Sequence, residues 1–174
     1  FNASVPEDAV KILKKPARSK IDCIISNKSI SSSTTRITLS YRAKQEQKEL
    51  ILSGDDHISL FCDHDWMIEA IENIVKNAFD HTEQGKIIRI EWKQSASMVQ
   101  IIIKDNGNGI HPEDLHHIFK RFYRSRFSKD KQGIGLGLPL AKMIIEAHRG
   151  TIEVDSELGI GTTFTLNFLN PTKL

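Results

Sequence analysis

Asp105-Asn106-Gly107-Asn108-Gly109 closes the apolar run Ile101-Ile102-Ile103-Lys104, and Gly133-Ile134-Gly135-Leu136-Gly137 opens another after a basic stretch. Glycines at alternate positions let the backbone approach a ligand closely or take positive φ at little steric cost. Exposed N–H groups in such a loop, just ahead of a helix, form an anion site. A lone carboxylate at the end of an apolar strand is an acceptor at the edge of a core. One end of this segment is therefore suited to accept a hydrogen bond from a base and the other to hold phosphates. That division of labour points to a nucleotide.

Working outward, the chain of 174 residues is long enough for one domain with a real core and short for two. A net charge of +2 gives no strong nucleic-acid or membrane signal. No run approaches the roughly 18 apolar residues of a membrane span, and no signal peptide is visible. The chain opens on Phe1, so a piece of a longer protein is expected, with a linker over residues 1–20 and one domain over 21–174. Cys23 and Cys62 lack a metal or redox spacing and are read as reduced, structural thiols, consistent with a cytosolic setting.

In chain order, Pro6 and Pro16 limit any helix in the first 20 residues. Ile21–Ile25 is a candidate strand, and a helix is expected from about Ser32 to Gln47. Leu50-Ile51-Leu52 and Ile58–Phe61 suit two short strands joined by Gly54-Asp55-Asp56. Asp65 is placed to cap a helix from Trp66 to His81, whose apolar face is Met67, Ile71, Ile74, Val75 and Ala78. Glu69, Asn73 and Asn77 form a second stripe, continued at the helix end by Asp80 and His81. Two asparagines one turn apart inside a helix are either a solvated face or a pair of carbonyl oxygens that meet a hard cation and its phosphates. Mg²⁺ wants oxygen ligands and keeps waters and phosphates in its shell.

Lys86–Lys93 and Met98–Lys104 read as a β-hairpin, and Pro112 starts a helix expected to run through Phe119. Arg121 to Gln132 carries Arg124, Arg126, Lys129 and Lys131 against Asp130, and its place between two glycine clusters suits a mobile lid. Pro139 is expected at the start of a helix to His148, ended by Gly150, ahead of two strands, Thr151–Asp155 and Thr162–Phe168. A Walker loop is excluded because no Gly-Lys-Ser/Thr occurs, and a dinucleotide fingerprint because Leu138 stands where glycine is needed. An EF-hand fails because Gly107 and Gly109 replace oxygen ligands. His111, His116 and His117 have no second cluster to close a zinc site.

Five motifs in order then resemble the catalytic, ATP-binding domain of bacterial sensor histidine kinases, within the group that includes gyrase-type and chaperone ATPases. They are Asn73-Ile74-Val75-Lys76-Asn77-Ala78, Asp105-Asn106-Gly107-Asn108-Gly109, Phe119-Lys120-Arg121-Phe122-Tyr123-Arg124, Gly133-Ile134-Gly135-Leu136-Gly137-Leu138 and Gly161-Thr162-Thr163-Phe164. The resemblance covers about residues 50–170. It implies a Bergerat-type α/β two-layer sandwich, a mixed sheet with helices on one face, binding ATP and Mg²⁺. It implies that Asp105 accepts the adenine amino group, with Thr162 assisting through a water and His81 beside the base. Asn73 and Asn77 would lie over the triphosphate, Asn77 first and Asn73 second as Mg²⁺ ligands. Tyr123 and Arg124 would approach the terminal phosphates, with Asn77 and Arg124 as the catalytic pair. Gly107 and Gly109 line the first glycine box, and Gly133, Gly135, Leu136 and Gly137 offer backbone N–H groups in the second.

Two departures accompany the resemblance. Asp80 stands where many relatives carry Lys in contact with phosphate, so it must turn away or be compensated by a base such as Lys76 or a lid arginine. No phospho-acceptor box is present; His64-Asp65-Trp66 lacks its remaining residues. The acceptor histidine is therefore expected on a separate dimerisation domain of the same kinase, with a response regulator as indirect partner and the fragment alone a monomer. The fragment would be the cytoplasmic domain of a membrane-bound sensor, touching neither membrane nor nucleic acid. A regulatory ATP-binding module, or an anti-sigma-type serine kinase of the same fold, is the alternative.

Overall fold

A computed structural model of the chain describes residues 22–25, 34–55, 58–83, 85–125 and 133–170. The elements are β1 (Asp22–Ile25), α1 (Thr34–Gln45), β2 (Glu49–Gly54), β3 (Ile58–Phe61), α2 (His64–Asp80), β4 (Ile87–Gln94), β5 (Met98–Asp105), α3 (Pro112–Leu115), α4 (Gly137–Ala147), β6 (Gly150–Glu157) and β7 (Gly161–Leu169). The expected linker, and residues 126–132 of the expected lid, lie outside the described residues.

Five strands form one mixed sheet in the order β2-β4-β5-β7-β6. β2 runs parallel to β4, and every other pairing is antiparallel. The two short strands read between Leu50 and Phe61 are not a hairpin: β2 joins this sheet, while β3 pairs with β1 in a separate two-stranded sheet. Strand alternation puts Ile88, Ile90 and Trp92 of β4, Val99, Ile101 and Ile103 of β5, and Phe164, Leu166 and Phe168 of β7 on one buried face. α2 and α4 pack together against that face through Met67, Ala70, Ile74, Val75, Ala78, Ala141, Ile144 and Ile145. Burying an Ile or Phe side chain contributes about 1.5–3 kcal/mol, so this layer is the main source of stability. The opposite face is polar and partly exposed, with Gln100 donating to Asn167 over 2.6 Å. The result is the expected two-layer sandwich with helices on one face.

Helix ends differ from the sequence expectation in four places. Asp63, not Asp65, caps α2: its carboxylate accepts from Trp66 N over 3.2 Å, while Asp65 is exposed beside His64. Any of several polar residues before Trp66 could cap, and the fold uses the one that starts the helix two residues earlier. The helix at Pro112 stops at Leu115; beyond it His117 N and Ile118 N share the Asp114 carbonyl and Lys120 N bonds His117 O, a run of turns rather than a continued helix. α4 begins at Gly137, so Pro139 sits inside its first turn, where its missing N–H costs nothing. Arg149, at φ 59, rather than Gly150, takes the left-handed position after α4. Gly150 is instead small for packing: a side-chain carbon there would fall 2.6 Å from the Phe168 ring.

Candidate nucleotide site

The β5 register decides the first half of the site. Asp105 follows Val99, Ile101 and Ile103 at two-residue spacing, so its side chain points to the buried face at the very end of the strand. Its pairing partner on β7 is Thr162, which lies on the same buried face. The backbone N–H groups of Gly107 and Thr162 donate to the Asp105 carboxylate, Gly107 over 2.9 Å. Burial pushes the carboxyl above its ordinary value, and those two bonds and the His81 charge hold it back only in part. His81 is the C-cap of α2 and its carbonyl accepts from Asn108 N over 3.1 Å, which ties the first glycine box to the helix end. Asp105, Gly107, His81 and Thr162 are thus brought together at one end of the sheet. Gly109 closes this end against the β6–β7 turn, where Gly159 N donates to Asn108 O over 2.8 Å.

The hydroxyl of Thr162 bonds to Ser156 Oγ at 2.9 Å, and Ser156 Oγ also accepts from Ile110 N and donates to Gly161 O. This node knits the glycine box to β6 and β7. Ser156 carries no sequence signal, being one polar residue in an ordinary strand. Thr82 was missed for a similar reason: it lies just past α2, yet it is buried beside Gly107.

The second half is built by α2 and α4. Asn73 and Asn77 sit one turn apart on α2, both partly buried. Asn73 donates Nδ2 to the Glu69 carbonyl over 2.8 Å and to Glu69 Oε1 over 3.0 Å. Glu69, to which the resemblance gives no role, therefore orients Asn73 and leaves its Oδ1 facing α4. A side-chain carbon at Gly137 would lie 2.9 Å from that oxygen, so glycine is what lets the two helices meet there. Leu136 caps α4 without a side-chain hydrogen bond. The first N–H groups of α4 are therefore not satisfied by a capping side chain, and helix N-termini of this kind attract anions.

Gly133 and Gly135 take φ of 111° and 73°, and the Gly135 carbonyl accepts from Phe122 N over 2.9 Å. The Phe119–Arg124 motif thereby docks on the second glycine box through backbone. Tyr123 approaches Gly135 with its carbonyl, while its hydroxyl donates to Asp114 Oδ1 over 2.5 Å and its ring packs on His117. Arg124 is exposed at the edge of the described lid base. Among the described residues no cluster of three His, Cys, Asp or Glu can hold a metal. The oxygens of Asn73 and Asn77 fit the partial role Mg²⁺ asks of a protein when phosphates supply the rest of its shell.

Asp80, the departure noted above, accepts from Arg42 Nη2 over 2.6 Å and so faces α1.

A family model described as "Histidine kinase-, DNA gyrase B-, and HSP90-like ATPase" matches residues 62–172. The chain is 37% identical over 118 residues to the sensor histidine kinase YvrG of Bacillus subtilis, covering 67% of this chain and 20% of that protein. It is 44% identical over 111 residues to the sensor protein SrrB of Staphylococcus aureus, covering 63% and 19%. The chain thus spans about a fifth of the length of these relatives. Among solved structures, the mycobacterial sensor histidine kinase MprB superposes with a TM-score of 0.69 at 24% identity, over 77% of this chain and 91% of that one. The catalytic domain of the histidine kinase ThkA gives 0.67 at 20%, over 76% and 87%; both likenesses concern the fold.

Proposed function

The chain belongs to the histidine kinase-, DNA gyrase B- and HSP90-like ATPase family and is a catalytic ATP-binding domain of the sensor histidine kinase type, and from that premise we propose that it passes the γ-phosphate of ATP to a histidine on a separate dimerisation domain. The observation that carries this is the buried Asp105 carboxylate together with the start of α4, which has no side-chain cap and meets Asn73 at Gly137.

Asp105 accepts the amino group of adenine, which selects a base that presents a donor there. The α4 N–H groups lie along the phosphate tail, and Asn73 and Asn77 direct oxygens at its cation. Asn73 and Asn77 would hold Mg²⁺, which would supply charge neutralisation at the phosphate oxygens. Phosphoryl transfer of this kind depends on positioning and charge more than on protein covalent chemistry. Arg124, exposed at the edge of the described residues, supplies positive charge to the terminal phosphate. The names of the relatives, all sensor kinases, favour this reading over a regulatory module or a serine kinase. The response regulator lies one transfer further on, and the parent protein is a membrane-bound sensor. No helix among the described residues is long and apolar enough to cross a membrane.

The test mixes this chain, γ-labelled ATP with Mg²⁺, and the separately produced dimerisation domain of its own kinase. Acid-labile phosphate on that domain is expected. An acid-stable product, or no transfer by a chain that binds ATP, would overturn the assignment.

A further inference from the structure

Two carboxylates among the described residues are buried, Asp105 and Asp114. Asp105 belongs to the nucleotide site; Asp114, 3% exposed, sits on α3. An acid in the first turn of a short helix ordinarily stays in solvent, because burial without a partner is costly. Asp114 instead turns inward to Tyr123, whose hydroxyl donates to Oδ1 over 2.5 Å. Its own backbone is fixed. The Asp114 carbonyl accepts from His117 N over 2.7 Å and from Ile118 N over 3.0 Å, and Ile118 and Phe119 pack against the core.

What Asp114 holds is a strained piece of chain. Phe122, just before Tyr123, takes a φ of 60°, a costly conformation for a bulky side chain. A residue stays in such a state only when its surroundings over-determine it. The Phe122 ring is 60% exposed, so its own packing does not hold it. The hold comes from the flanks. Phe122 N donates to Gly135 O over 2.9 Å. Tyr123 is pinned by its ring on His117, 5.3 Å between centroids, and by its hydroxyl on Asp114. Arg124 follows directly, so its direction of exit is set by the residue that Asp114 grips.

We propose that Asp114 is a positioning residue for phosphoryl transfer: through the Tyr123 hydroxyl it fixes the strained Phe122-Tyr123 turn and so aims Arg124 at the terminal phosphate. This rests on the ATP reading above and on the place it gives Arg124. Asp114 touches neither the nucleotide nor the reacting atoms. Its loss leaves the binding of the base and inner phosphates intact and slows the step in which the terminal phosphate moves.

The test measures two quantities: the transfer rate at saturating Mg-ATP to the separately produced dimerisation domain, and ADP affinity by calorimetry. The proteins are wild type, Asp114→Ala, Asp114→Asn, Tyr123→Phe, Arg124→Ala and the double variant Tyr123→Phe/Arg124→Ala. Asp114→Ala and Tyr123→Phe should each slow transfer by about tenfold or more, with ADP affinity within about twofold of wild type, as expected when one charged group is misplaced. Asp114→Asn keeps an acceptor oxygen for the hydroxyl and should restore most of the rate. The double variant should be no slower than Arg124→Ala, because both changes remove the same contribution. A wild-type rate in Asp114→Ala or Tyr123→Phe would overturn the proposal. So would ADP affinity lost in step with the rate, transfer in Asp114→Asn as slow as in Asp114→Ala, or losses that multiply in the double variant. If Arg124→Ala still slows transfer, such a result refutes the role of Asp114 alone. A wild-type chain that transfers no phosphate overturns the functional reading and this inference together.

Discussion

The Arg42 guanidinium donates to the Asp80 carboxylate over 2.6 Å and lies 4.8 Å from the centre of the Phe79 ring. Arg42 also bonds Glu46, and Lys48 bonds both Glu46 and the Phe79 carbonyl. Burial opposes ionisation of Glu46, but the bonds from Lys48 and Arg42 prevail and hold its carboxyl below the ordinary value. α1 is thereby clamped to the end of α2, and the Asp80 carboxylate is neutralised on the α1 side. Asp80→Ala should leave ATP affinity within about twofold and cost ~0.2–1 kcal/mol of stability, as partly exposed pairs do. Arg42→Ala, which loses the ring contact as well, should cost about 1–2 kcal/mol. Urea denaturation and ATP titration of both variants check this; a large gain in ATP affinity in Asp80→Ala would show the acid facing the phosphates.

Tyr123 donates the one side-chain hydrogen bond seen at Asp114 Oδ1, and Asp114 Oδ2 is buried without a partner among the described residues. Tyr123→Phe leaves that carboxylate more poorly satisfied and should lower stability by ~1–3 kcal/mol. Chemical denaturation measures it; a stability equal to wild type would mean that the bond contributes nothing to the lid base.

Gly137→Ala separates the site from the fold. The added carbon would meet only the end of a flexible side chain, Asn73 Oδ1 at 2.9 Å, so the helix should fold as before. Asn73 must swing off its bond to Glu69, and ATP affinity should fall by about tenfold or more while Tm changes little. Equal ATP affinity in wild type and variant would remove Asn73 from the phosphate end.

Asp105 gives a pH signature. Its carboxyl lies above the ordinary 3.8 in the folded chain, burial being the main cause. The native state then holds the proton more tightly than the unfolded one. Its contribution to stability is therefore greatest at low pH, declines as pH rises from 3.8 through the raised value, and stays lost above it. ATP affinity runs the opposite way, because acceptance of the amino group needs the ionised form. His81 is the charged group whose field reaches Asp105, so the profile is compared with Asp105→Asn, which keeps His81 in place. A wild-type minus Asp105→Asn stability difference that is flat across this range would contradict the burial argument.

The sheet was legible because period-two alternation survives in β4, β5 and β7, and because the Asp105 register follows from Val99, Ile101 and Ile103 alone. The apolar face of α2 was legible at helical spacing for the same reason. What the sequence hid was non-local. Nothing around Asp80 announces Arg42 on another helix, and nothing around Thr82 announces Gly107 beyond a hairpin. The pairing of β3 with β1 rather than with its sequence neighbour β2 is likewise decided by tertiary packing. Nor does the sequence announce that the Tyr123 hydroxyl meets Asp114, an acid that reads locally as nothing more than a helix-start residue.

The central claim is that a buried carboxylate grips the base of ATP. Calorimetric titration of Mg-ATP into Asp105→Asn, with circular dichroism confirming the fold, tests it most directly. Loss of a hydrogen bond to a charged group predicts an affinity lower by about 10–100-fold. A folded Asp105→Asn that binds ATP as tightly as wild type would contradict the account.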